Sequence, residues 1–361
     1  MKKITLLAAL ALGVTLWSCN KHGETTPTRQ GEVYLDLPAT PAQYYPSQQV
    51  QDMNHLATLG RVLFYERQLS VNNATACASC HKQAFAFADN VASSRGFENR
   101  PTSRNSMPIQ DLGVINFSFG TPPNLFWDGR AMNLEGLIPG PLTNHIEMGL
   151  DDVEVLPAKL ARLPYYDQLF QQAYGSPEIT TSRISTAIAT FLRAISAGNS
   201  RFDKYQMTGQ NTLTAQELRG RQLFNVTYDC AGCHTPGQGY TGNDFMDIGL
   251  DVNCTDAGLQ AVTGKATDRG KFKIPNLHNV ALTAPYMHDG RFATLGDVID
   301  HYSRGIKQST NLDPRLQASN HEALRLNITE QDKEALIAFL GSLTDNSMIT
   351  DHKFSDPFKV R

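Results

Sequence analysis

Two pentapeptides of one form, Cys77-Ala-Ser-Cys80-His81 and Cys230-Ala-Gly-Cys233-His234, constrain this chain more than anything else in it. Two thiols at this spacing can form thioethers with the vinyl groups of a haem, and the adjacent histidine can ligate its iron from below. A zinc site would usually place its two Cys-x-x-Cys pairs about 15–20 residues apart; here they lie at 77–80 and 230–233. A thioredoxin-like redox pair needs no histidine in the fifth position. The motifs therefore predict two covalently attached c-type haems.

The N-terminus suits that chemistry, because haem c is attached in exported proteins. Lys2 and Lys3 form a positive start and Ile4 to Leu16 a short apolar core, the pattern of a signal peptide over 1–18. Leu16-Trp17-Ser18-Cys19 is similar to a lipobox, which would make Cys19 a lipidated N-terminus; plain signal-peptidase cleavage nearby is the alternative. The Thr-, Pro- and Gln-rich stretch after it reads as a lipid-anchored, flexible tether over 19–45. The expected location is the periplasm, with the membrane reached through the N-terminal lipid only. Of six cysteines, Cys254 alone has no assigned part and reads as a free thiol in a loop. A net charge of −3 gives no reason to expect nucleic-acid binding.

The two halves echo each other. Gly60-Arg-Val-Leu-Phe64 precedes the first motif and Gly220-Arg-Gln-Leu-Phe224 the second, each a short helix expected to carry Leu and Phe toward a haem. Thr214-Ala-Gln-Glu217 is a capping-box start. Ile184, Ile188, Phe191, Leu192 and Ile195 form an apolar stripe on a helix over 181–196. Thr329-Glu-Gln-Asp332 opens another, carrying Leu336, Phe339, Leu340 and Leu343. No segment alternates convincingly as a strand. The expected fold is mostly α: two cytochrome c-like haem domains, 46–205 and 206–346, with long loops, the haems near the domain interface, and a C-terminal tail, 347–361. The chain is expected to enter a connection near 200–212.

Further segments carry a family resemblance: Phe126-Trp-Asp-Gly-Arg130, Pro141 through Glu147-Met-Gly149, Phe272-Lys-Ile-Pro275 and Thr283-Ala-Pro-Tyr-Met-His-Asp-Gly290. With the two pentapeptides, they make the chain resemble the bacterial dihaem cytochrome c peroxidases and their relative MauG from about Leu59 to Leu343. The resemblance implies a peroxide-reacting N-terminal haem and an electron-accepting C-terminal one. It makes Trp127 the tryptophan between them and Glu147 the carboxylate over the reactive haem, able to move protons during O–O cleavage. It also implies a calcium ion held by Asn105 and the carbonyls of Thr283 and Pro285, oxygen ligands suited to a hard cation. Hydrogen peroxide, a small donor protein such as a cytochrome c or cupredoxin, and a homodimer are the implied partners.

Against that family the chain departs at four places. The usual histidine capping the N-terminal iron is missing, since none occurs between His81 and His145; an open iron is expected. Where peroxidases have an axial methionine the chain has Tyr302, as MauG does, with Met287 and His301 as competing ligands. Leu137 replaces a glutamine, and His278 stands where an arginine is common, either altering charge near the second haem or serving a surface or packing role. Three functions follow: a peroxidase reducing H₂O₂ to water, a MauG-like oxidase drawing electrons from a bound substrate, and a pure electron carrier. The last needs both irons fully ligated, which the missing histidine disfavours.

Overall fold

The computed structural model describes residues 33–38, 40–45, 51–113, 125–237, 239–242 and 244–360. The signal peptide and Cys19 lie outside them. The fold is mostly α-helical, with long connections between short helices.

Each half is built on one crossing of two helices, set by a glycine. In the first, α1 (Gln51–Tyr65) packs on α3 (Thr181–Ala194), while α2 (Pro164–Tyr174) lies against α1. In the second, α5 (Ala215–Gln222) packs on α7 (Glu330–Ser342). At the first crossing Gly60 meets the Ala187 carbonyl and Phe191; at the second Gly220 meets the Ala335 carbonyl and Phe339. A Cβ at either glycine would overlap backbone, so only glycine lets the axes approach this closely.

The helices start where their caps require. Thr180, Thr214 and Thr329 each accept a hydrogen bond from a backbone N–H three residues on. The stripe Ile184, Ile188, Phe191, Leu192 and Ile195 is buried, as are Leu336, Phe339, Leu340 and Leu343. Each such side chain contributes roughly 1.5–3 kcal/mol by leaving water. Two separate clusters result, one around Phe64 and Phe191, the other around Phe224 and Phe339.

Three expectations need correction. The connection near 200–212 contains a helix, α4 (Arg201–Thr208), because Ser200 and Asp203 form a capping box and Phe202 is buried. Short strands exist: β1 (Val33–Leu35) pairs with β4 (Phe358–Val360), and β2 (Phe245–Met246) with β3 (Phe272–Lys273), both antiparallel. From Val33 the expected tether is already part of the fold. The Tyr44 hydroxyl donates to the Lys353 carbonyl at 2.8 Å, and Tyr44 and Phe354 are buried against Phe191. The C-terminal tail thus returns to the first half, where two pieces too short to fold alone cover one hydrophobic face.

Candidate functional site

Two cavities, of about 530 and 430 Å³, open beside the two Cys-x-x-Cys-His motifs. These volumes suit a cofactor-sized ligand. Cys77, Cys80 and His81 border the first; Cys230, Cys233 and His234 border the second. The paired helices supply matching walls. Phe64, Ile188 and Leu192 face the first cavity, and Phe224, Leu336 and Leu340 the second. Leu63 and Leu223 border neither, so only the phenylalanine of each expected pair reaches a cavity.

Local geometry around the motifs fits haem c. The His81 Nδ1 lies 2.9 Å from the Phe87 carbonyl, and the His234 Nδ1 lies 3.2 Å from the Tyr240 carbonyl, each acceptor six residues on. A ring anchored through Nδ1 keeps Nε2 as its metal-binding nitrogen. Burial pushes His81 down and His234 down to about 4, the direction that favours the neutral ring a metal ligand needs. Burial also pushes the Cys77 and Cys230 thiols up to about 12 and Cys80 to about 11. A redox-active Cys-x-x-Cys pair instead has a lowered thiol pKa. All four cysteines are free of disulfides.

Beyond the motif the first cavity is bordered by Glu147, Asn144, Arg130, Leu137 and Met107. Asn144 Nδ2 donates to Glu147 Oε1 at 2.8 Å. Burial raises the Glu147 pKa, against the opposing pull of Arg130 and of the Asn144 hydrogen bond. Arg130 lies over the Phe126 ring, 3.6 Å from its centre, and pairs with Asp128 at 2.9 Å. Asn144 and Met107 escaped the sequence reading, and Arg130 entered it only as the last residue of a family motif. The Asn144-to-Glu147 spacing in the turn was the available signal for the first of them.

Asn105, Pro108, Trp127 and Lys273 border both cavities. The Trp127 indole donates to the Asn105 carbonyl at 2.9 Å, and the Asn105 N–H donates to the His288 carbonyl at 2.8 Å. His288 stacks on Phe272 with ring centres 3.7 Å apart. Arg104 ties the junction together through Asp128 and Asp256, at 2.7 Å each. Thr283 and Pro285 border the second cavity with Asn105. Among the described residues no group of three His, Cys, Asp or Glu side chains could hold a metal ion. A calcium site here would have to be built from amide and carbonyl oxygens.

Tyr302 and Met287 both border the second cavity; His301 does not. Tyr302 sits in a π-helical turn, His301–Gly305, that continues α6 (Leu295–Asp300). Such turns are frequent at functional sites. Burial raises the Tyr302 pKa. The His301 Nε2 is 2.9 Å from the Ile248 carbonyl. His278 is neither at the surface nor at a cavity: it is buried, with Asp111 at 2.7 Å and Asp203 at 3.3 Å. Cys254 is a free thiol that donates a hydrogen bond to the Asp256 carbonyl at 3.3 Å.

The comparisons with known proteins agree with this architecture. The family model for di-haem cytochrome c peroxidases matches residues 54–212. MauG of Methylorubrum extorquens is 32% identical over 287 residues, 79% of this chain and 77% of that one. Cytochrome c551 peroxidase of Nitrosomonas europaea is 35% identical over 253 residues, 69% of this chain and 73% of that one. A solved MauG-like protein associated with microbial copper homeostasis superposes with a TM-score of 0.74 at 31% identity, covering 95% of this chain and 99% of that one. With two haem-attachment motifs at two matching cavities, the chain belongs to the dihaem cytochrome c peroxidase and MauG family.

Proposed function

We propose that this chain is a dihaem c-type peroxidase that reduces hydrogen peroxide to two waters, taking two electrons from a small periplasmic donor protein and two protons. The observation that carries the reading is Glu147, a half-buried carboxyl whose pKa desolvation raises, on the same cavity as Cys77, Cys80 and His81. Bound haem would supply the iron that accepts peroxide and exchanges electrons. Cys77, Cys80 and His81 would hold one haem, and Cys230, Cys233 and His234 the other, in two units spanning 46–205 and 206–346.

Glu147 takes a proton from one peroxide oxygen and returns it to the oxygen that leaves. Asn144 fixes the orientation of that carboxyl through its hydrogen bond, and the apolar wall of Leu137 leaves Glu147 as the proton carrier of the cavity. Trp127, bordering both cavities, offers an oxidisable ring between them. Tyr302 is the proposed second ligand in the C-terminal cavity. Asn105 with the carbonyls of Thr283 and Pro285 is the proposed calcium site, and Cys19 the proposed lipid anchor.

Tyr302 at the second cavity also favours a second reading, a MauG-like oxidase acting on a bound substrate, because phenolate stabilises ferric iron. Electron paramagnetic resonance of the as-isolated ferric protein, with peroxide added, tests the first step. A high-spin signal that changes at once on adding peroxide supports an open N-terminal haem. Two low-spin signals, inert until partial reduction, would refute it. Steady-state oxidation of reduced cytochrome c then separates the readings: rapid turnover marks the peroxidase, and poor turnover with a long-lived oxidised state the oxidase.

A further inference from the structure

Lys273 is 7% exposed and borders both cavities. It is the second residue of β3, and its N–H donates to the Trp127 carbonyl at 2.9 Å. The backbone that carries the indole therefore also fixes this lysine at the junction. Its ammonium has one acceptor among the described residues, the Gly242 carbonyl, at a long 3.5 Å.

Every other cation bordering these cavities is neutralised by the chain itself. Arg104 pairs with Asp128 and Asp256 at 2.7 Å, Arg130 with Asp128 at 2.9 Å, and Arg315 with Asp313 at 2.9 Å. Lys273 alone among them forms no ion pair with a described carboxylate. Burial pushes it down to about 8, and no charge of a described residue opposes that effect. A buried ammonium without an anion is expensive, and such groups are paired or bound to a ligand. A ligand anion in the cavities that Lys273 borders would supply the missing partner.

We propose that Lys273 is a positioning residue, shared by the two cavities, that pairs with the carboxylate side chains of the haems and holds up the reduction potential of at least one of them. The proposal rests on the reading that both cavities take haem c. A haem carries two carboxylates, and a cation beside it favours the reduced state, whose iron bears one positive charge less. The same lysine links that charge to the Trp127 backbone, so one residue sets both the seat of a haem and the energetics of transfer across the junction.

The test uses the full-length holoprotein, with haem counted as the pyridine haemochrome and potentials measured by spectroelectrochemical titration. In Lys273→Met two haems remain attached, and at least one midpoint falls by about 59 mV, a tenfold weaker preference for the reduced form. Lys273→Arg keeps the wild-type potentials. Should Lys273→Met not accumulate, Lys273→Gln carries the same expectation; haem loss in both neutral variants but not in Lys273→Arg is a stronger form of the same result. Unchanged potentials in a neutral variant holding two haems would overturn the proposal. So would equal damage from arginine, which would mark the lysine as packing only. A wild-type chain with fewer than two haems would instead sink the reading beneath it.

Discussion

The His278 imidazole stands 2.7 Å from the Asp111 carboxylate, and both residues are buried. Asp203 lies on the other ring nitrogen at 3.3 Å. Asn276 Nδ2 also donates to Asp111, while the Ala197 N–H donates to its second oxygen. The ring thereby joins segments from both haem-bearing halves.

This clasp makes stability depend on pH. Burial alone would lower the His278 pKa, but the hydrogen bonds and charges of Asp111 and Asp203 outweigh it and raise it to about 10. A raised folded pKa means that the contribution is complete below about 6.5, the unfolded value. It is lost progressively as pH rises from there to about 10. The thermal midpoint should fall across that window, and His278→Gln should flatten the slope. That variant leaves the buried Asp111 carboxylate without its cationic partner and should cost about 3–5 kcal/mol, measured by denaturant unfolding at pH 6.

Glu147→Gln should lower kcat/KM for peroxide by about 10²–10⁴-fold, the usual worth of a positioned acid–base group. Haem content should not change. In the wild type, base function appears as pH rises through a pKa raised by burial above the ordinary carboxylate range. The acid limb of the kcat/KM profile should reflect that raised value and vanish in Glu147→Gln. A profile unaltered by the substitution would remove Glu147 from the chemistry.

The two candidate ligands of the second cavity can be separated by optical and magnetic spectra. Tyr302→Met should raise the potential of the C-terminal haem, because a thioether favours the ferrous state where phenolate favours the ferric. Met287→Leu should leave that potential and spectrum alone. The reverse pattern would transfer the ligand role to Met287.

The helix crossings predict an inverted glycine effect. An alanine inside a helix normally returns roughly 0.5–1 kcal/mol relative to glycine. At Gly60 and Gly220 the added methyl would meet the Ala187 or Ala335 carbonyl. Overpacking of this kind costs about 1–3 kcal/mol, so both Gly60→Ala and Gly220→Ala should lower the unfolding midpoint in denaturant. A stabilised variant would show that the helices separate freely.

Much of the local structure was legible in the residues. Thr214 and Thr329 cap the helices their patterns promised, and the stripe from Ile184 to Ile195 is the face that packs. Helix α4 was missed although Ser200 and Asp203 carry its signal, because the polar residues around Phe202 hide the apolar period. Pairing of β1 with β4 was not legible at all. Three-residue strands have too few positions to show alternation, and their partners lie at opposite ends of the chain.

By itself, the sequence determined the two Cys-x-x-Cys-His motifs, the caps, the apolar faces and the missing histidine after His81, because each depends on residues close together in the chain. Apart from Trp127, which the resemblance had already placed there, tertiary structure decided what lies between the motifs. Trp127, Asn105, Pro108 and Lys273 come to border both cavities from separate segments. His301 turns to the Ile248 carbonyl while its neighbour Tyr302 borders the second cavity. His278, ambiguous as a residue type, is buried between two carboxylates that favour its protonated form, because Asp111 and Asp203 converge on it from distant positions. Charge balance and burial depend on such convergence, which spacing along the chain does not encode.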